Sequence, residues 1–104
     1  MFSAVLVTVP NDKTAQKIAK DLFKNKLIAC ANLIPNIKSF YYWENKLCRD
    51  MEVLMILKTR KELFTKLRQR IKSLHPYKIP EIIALPILQG NAEYLKWIKE
   101  NTGK

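Results

Sequence analysis

Residues 37–58, "IKSFYYWENKLCRDMEVLMILK", decide the architecture. "IKSFYYW" (37–43) and "MEVLMILK" (51–58) are strand-like runs. Between them "ENKL" (44–47) reads as a turn, with Asn45 able to hold a positive φ. The later run is apolar on both sides, since Met51, Val53, Met55 and Leu57 interleave with Leu54 and Ile56. A strand with one face in water alternates apolar and polar residues, whereas a strand in the middle of a sheet covered on both sides does not. The pattern therefore predicts a central strand with both faces covered.

Working outward, "LIACANLIP" (27–35) is a second strand-like segment that continues into "IKSFYYW", with Pro35 marking a bend because it cannot donate to a ladder. Upstream, Ala15, Ile18, Ala19, Leu22 and Phe23 recur as the stripe of an amphipathic helix. Asp12 is its expected N-cap, and residues 2–9 form a first strand. Downstream, Thr59-Arg60-Lys61-Glu62 has the form of a capping box. The helix it opens carries Leu63, Phe64, Leu67, Ile71 and Leu74 on one face and ends near His75, because Pro76 disfavours helical geometry before it. "EIIALPIL" (81–88) is a fourth strand, and Pro86 argues for an edge position or a bulge. Gly90-Asn91 then opens a short last helix with Tyr94, Leu95, Trp97 and Ile98. The order β-α-β-β-α-β is the ferredoxin-like arrangement, an α+β sandwich, with an extra C-terminal helix. Two helices cover one face of such a sheet. The other apolar face of the third strand needs a partner subunit, so the pattern predicts an oligomer.

The 104 residues fit one domain, 1–104. A net charge of +10 invites nucleic acid or anionic surfaces, but the lysines follow the outer faces of the two long helices and read as solvated. An RNA-recognition module would need aromatics on the first and third strands. Here Phe40, Tyr41, Tyr42 and Trp43 lie on the second, which suits packing or subunit contact better than base stacking. No run approaches the length of a membrane span, and the apolar start lacks a basic leader. Two cysteines, 18 apart, read as reduced thiols. A cytoplasmic protein with no membrane partner is expected, and nucleic acid is not the expected partner. There is no G-x-S-x-G, glycine-rich phosphate loop or evident nucleophile–base pair, so no enzyme is expected.

The chemistry that remains centres on "SLHPYKIPEIIALPI" (73–87), which holds the single histidine, His75, and Glu81 in apolar company. His75 suits a helix C-terminus, where it meets the dipole and the last carbonyls. Charged residues at strand ends, Lys58, Glu52 and Glu81, together with His75 and Tyr77, form a set that converges on a cleft, and burial of such groups calls for pairing or function. Cys30 and the methionines suit Cu(I), although no residues stand at tight metal-ligand spacing.

"LIACANLIP", "YYWENK", "EVLMILKT", "LHPYKIPEIIALPI" and "GNAEYLKWI" together resemble the CutA divalent-cation tolerance family, over residues 4–99 in the same order and spacing. The resemblance implies a homotrimer shaped like the PII signalling proteins and associated with tolerance to copper and other divalent cations. It implies no catalysis and no obligatory cofactor; Cu or another divalent cation would bind weakly. It places Cys30, Trp43, Lys58, His75, Tyr77 and Glu81 in clefts between subunits, with His75 the one metal-ligand candidate. Relatives with a copper site carry a cysteine where Val7 stands and a His-His pair where Leu74-His75 stands. Asn45 takes a turn position usually held by Gly. Lys58 and the positive charge keep a PII-like sensor of a small anion as the alternative reading, and net charge alone keeps a nucleic-acid-binding module as a third.

Overall fold

The strand begun by "MEVLMILK" is longer than its apolar core. In the computed structural model, which describes residues 1–103, β3 runs Lys46–Arg60 and pairs from Lys46 to Lys58, across one register shift, with β2, Cys30–Trp43. The remaining elements are β1 (Phe2–Val9), α1 (Asp12–Lys24), α2 (Phe64–Leu74), β4 (Ile82–Ile87) and α3 (Ala92–Glu100), with one 3-10 turn, Lys61–Leu63, ahead of α2. The sheet order is β2-β3-β1-β4, antiparallel throughout. The expected ferredoxin-like order and the extra C-terminal helix are both present. β3 lies inside the sheet and β4, with Pro86, at its edge.

Glu44 and Asn45 make the two-residue turn between β2 and β3, both at positive φ (50° and 66°). That geometry matches the right-handed twist of a hairpin and favours Asn over most side chains. Pro35 does not end β2. The strand continues through a register shift between Ile34 and Ile37, with Asn36 at φ 60°, so the bend is a β-bulge.

The core lies between the sheet and α1 and α2. Val53, Met55 and Leu57 of β3 are buried there with Val5, Val7, Ile18, Leu22, Leu67 and Ile71. Phe23, expected in the α1 stripe, is instead 44% exposed. The opposite sheet face is less covered. Pairing register puts Ile34, Leu54, Ile56, Leu6, Ile83 and Leu85 on it. Leu54 and Ile56 are half-buried, while Ile34, Ile83 and Leu85 remain 42–47% exposed. Met51, expected in the core strand, is 54% exposed because β1 ends opposite Val53 and leaves residues 46–52 paired only to β2. The distal hairpin is thus a two-stranded arm that carries Phe40, Tyr42, Leu47 and Met51 into solvent.

Two expected caps are corrected. Asn11, not Asp12, caps α1: its backbone is extended and its side chain accepts from Thr14 N at 2.8 Å. The N-cap oxygen must reach the third helical N–H, and only residue 11 stands at that spacing. The Thr59 capping box does not form. Thr59 is fully buried within β3 and its hydroxyl donates to Leu27 O at 2.6 Å, tying β3 to the segment that enters β2. α1 and α2 are joined by Arg70, which forks onto Asp21 at 2.6 and 2.7 Å; the hydrogen bond from Arg70 holds Asp21 below the usual carboxylate range.

α3 is tied back by its C-terminal tail. Ile98 is fully buried, Arg60 donates to Thr102 Oγ1 at 3.0 Å, and Gly103 N donates to Lys26 O at 2.8 Å. Gly103 sits at φ 79°, and a Cβ there would lie 1.6 Å from Arg60 Nη2, so only glycine closes this tie.

Candidate functional site

Where β1 ends and the arm departs, a cleft of about 570 Å³ opens between the hairpin and the segment after α2. Hairpin register fixes one wall. Counting outward from the Glu44-Asn45 turn places Ser39 opposite Asp50 and Ile37 opposite Glu52, with Tyr41 diagonal to Asp50. Tyr41 Oη donates to Asp50 Oδ2. That bond pushes the Tyr41 phenol up to about 12, since a phenolate beside the carboxylate would lose it. Phe40 and Trp43 complete the wall.

The facing wall is "HPYKIPE", 75–81. α2 stops at Leu74, and His75 takes extended geometry (φ −81°, ψ 134°) ahead of Pro76, as the proline requires. His75 is 8% exposed. Its Nδ1 accepts from Tyr77 N at 3.1 Å, so that nitrogen carries no proton, and Nε2 donates to Thr8 O at 2.8 Å. Thr8 lies one residue past the end of the β1–β4 ladder, which stops at the Val7–Ile82 pair. His75 therefore pins the segment to β1, with its ring tilted 52° against Tyr77 at 4.7 Å. Tyr77 Oη donates to Glu52 Oε2 at 2.7 Å. Burial first, and the Glu52 carboxylate second, raise the Tyr77 phenol well above its ordinary value. Glu52, buried on a sheet face, is the acid this phenol satisfies.

Of the residues singled out by sequence, Trp43, Tyr77 and Glu81 line this cleft with Glu52, and His75 lies behind it. Cys30 and Lys58 do not join them. They face each other across β2 and β3, six residues or about 20 Å from Glu52 along the strand. There Lys58 Nζ donates to Asn32 Oδ1 and stands 4.0 Å from Cys30 Sγ. Tyr94 of α3 packs on the same group; burial first and the Cys30 contact second raise its phenol. Within one chain these residues thus fall into two polar clusters. Ser39, Tyr41, Asp50 and Lys78 are cleft residues that sequence reasoning passed over. The hairpin turn was the available signal for the first three, because it sets the register that brings them together.

Neither His75 nitrogen is free for a metal. Among the described residues, no three His, Cys, Asp or Glu side chains converge closely enough to hold one.

The family model "CutA1 divalent ion tolerance protein" matches residues 3–101. The chain belongs to the CutA family. It is 48% identical over 103 residues to the divalent-cation tolerance protein CutA of Thermus thermophilus, covering 99% of this chain and all of that one. The solved structure of that relative superposes with a TM-score of 0.96 over 99% of this chain and 100% of the other. Protein CutA of Homo sapiens is 47% identical over 96% of this chain, which spans 56% of the human protein's length. The structure of the periplasmic divalent cation tolerance protein CutA of Archaeoglobus fulgidus is 44% identical, with a TM-score of 0.95 over 97% of this chain and 98% of that one. The four-stranded antiparallel sheet and its helices are therefore the CutA fold. Among the described residues no helix is long and apolar enough to cross a membrane.

Proposed function

We infer that this chain is a homotrimeric divalent-cation tolerance protein that works by binding a cation, without chemistry of its own, in the cytoplasm. The observation that carries the binding reading is the sign of the cleft. In a chain of net charge +10, the cleft gathers Asp50, Glu52 and Glu81 against one lysine, Lys78. Oxygen ligands in a half-open, negative pocket suit a hydrated divalent ion. Because no full ligand set converges among the described residues of one chain, a second subunit completes the site, and binding is weak. Cu(II) is the ion to try first. The trimer reading is supported by the apolar sheet face at Ile34, Ile83 and Leu85, by the apolar arm, and by two sheet edges, β2 and β4, with no strand beyond them.

Isothermal titration of metal-free protein with Cu(II) tests this. Glu81 makes no ion pair among the described residues, so Glu81→Gln removes cleft charge without removing a structural contact. Weaker binding in that variant is expected. An isotherm identical to that of the unmodified chain removes the cleft from the account. The Lys58 cluster, whose ammonium sits against Asn32 and Cys30, favours a small anion as a second reading. A thermal-shift screen with nucleotides and carboxylates separates the two.

A further inference from the structure

The positive charge of this chain is concentrated on one layer. α1, α2 and their flanks, residues 12–26 and 61–74, hold ten of the 19 Lys and Arg but only three of the nine Asp and Glu. Seven of the ten net charges therefore sit on the helices, while the cleft is acidic. On α1, Lys13, Lys17, Lys20 and Lys24 follow at steps of four, three and four, which stacks them along one outward ridge about 16 Å long. All four are exposed. α2 lies against α1 through the Arg70–Asp21 fork and contains no acid; its Lys66 and Lys72 are exposed too. Two helices side by side on one sheet face present a charged surface two helices wide.

Among the described residues none of these lysines makes an ion pair. The ion pairs among the described residues are Arg70 with Asp21 and the N-terminal amine with Glu62. Like charges three and four apart weaken a helix, so the ridge costs stability that no ion pair among the described residues returns. Solubility would be served equally well by interspersed signs.

We propose that this helical face docks on an anionic phospholipid surface. The partner is an extended surface because the charge is spread over two helices, and diffuse because eight of the ten cations are lysines, compact hydrated charges without the planar fork that reads individual phosphates. Arg70, which has that fork, spends it on Asp21. Phe23, half-exposed beside Lys20 and Lys24, supplies an apolar side chain to sink among headgroups while the lysines stay with the phosphates. Each lysine adds attraction to an anionic leaflet, and salt screens it.

The test is co-sedimentation of the full chain with vesicles of pure phosphatidylcholine and of phosphatidylcholine with about 30% phosphatidylserine, at about 50 mM and about 500 mM salt. Binding to the anionic vesicles at low salt alone is expected. The quadruple change K13Q/K17Q/K20Q/K24Q should weaken it at least about tenfold, and K38Q/K46Q/K96Q/K99Q, equal in charge but off the helical layer, by less than about threefold. Circular dichroism checks that both variants fold; if the first does not, K17Q/K20Q is read in its place. Equal binding to neutral vesicles, or equal losses in the two quadruple variants, overturns the proposal. So does tighter binding to random duplex DNA with the same lysine dependence, which would make the face a nucleic-acid surface.

Discussion

His75 joins the end of α2 to the end of β1 through Nε2 and orients Tyr77 through Nδ1. His75→Ala leaves the Thr8 carbonyl and the Tyr77 amide without these partners in a buried place, which costs about 2–3 kcal/mol. Thermal unfolding should show this as a clear drop, while Cu(II) heat per folded protein stays as it was. A loss of Cu(II) binding without a loss of stability would instead make the histidine a ligand. The two cleft tyrosines are raised in the folded state, so their protonated forms stabilise it. That contribution is complete below the ordinary tyrosine value of about 10 and is lost as pH climbs through the folded values, about 12 for Tyr41. The stability difference between the unmodified chain and Tyr77→Phe should therefore be constant at neutral pH and shrink above about pH 10. A difference that grows with pH would contradict the Tyr77–Glu52 bond. That His75 ends the helix is legible from Pro76; that it does so by holding two backbone groups is not, because Thr8 is 67 residues away.

At the scale of elements, periodicity and punctuation carried most of the reading. The stripe Ala15, Ile18, Ala19 and Leu22 is buried as its spacing demands, and Pro86 lies on an edge strand as its missing N–H demands. The caps were less legible, since Asn11 and Asp12 are both good cap residues and differ by one position. Asn11→Ala should lower stability by about 1 kcal/mol, and Asp12→Ala, which loses a charge near the helix N-terminus and an exposed hydrogen bond from Gln16, by a few tenths. Urea midpoints decide between them; the reverse ranking would return the cap to Asp12. Thr59 shows the same limit more sharply. Its spacing to Glu62 is that of a capping box, but β3 extends two residues further than its apolar run and carries Thr59 into the interior. Pairing of Arg60 with Phe2 outweighs a local cap there, because it continues a ladder already formed.

For the whole molecule, the apolar face at Ile34, Ile83 and Leu85 and the arm beyond Val53 are surfaces that a lone chain leaves in water. Light scattering should give three times the 12.2 kDa chain mass. Leu85→Glu, which puts a charge on that face, should lower it toward one chain while leaving helix content unchanged. A monomeric mass for the unmodified protein would end the trimer reading. By itself the sequence determined the order of elements, the central place of β3, the hairpin turn and the membership of the CutA family, because each of these depends on spacing within a few residues or on motifs in fixed order. Only the tertiary structure decided that Cys30 and Lys58 lie about 20 Å from Glu52 and Tyr77, that Asp50 and Tyr41 belong to the cleft, and that His75 is a pin between β1 and α2. Strand register converts distance along the chain into distance in space. One turn and one bulge, at Glu44-Asn45 and Pro35-Asn36, set that conversion for the whole hairpin. The stretch "HPYKIPE" becomes a wall only where the end of β1 and the departing arm give it something to face.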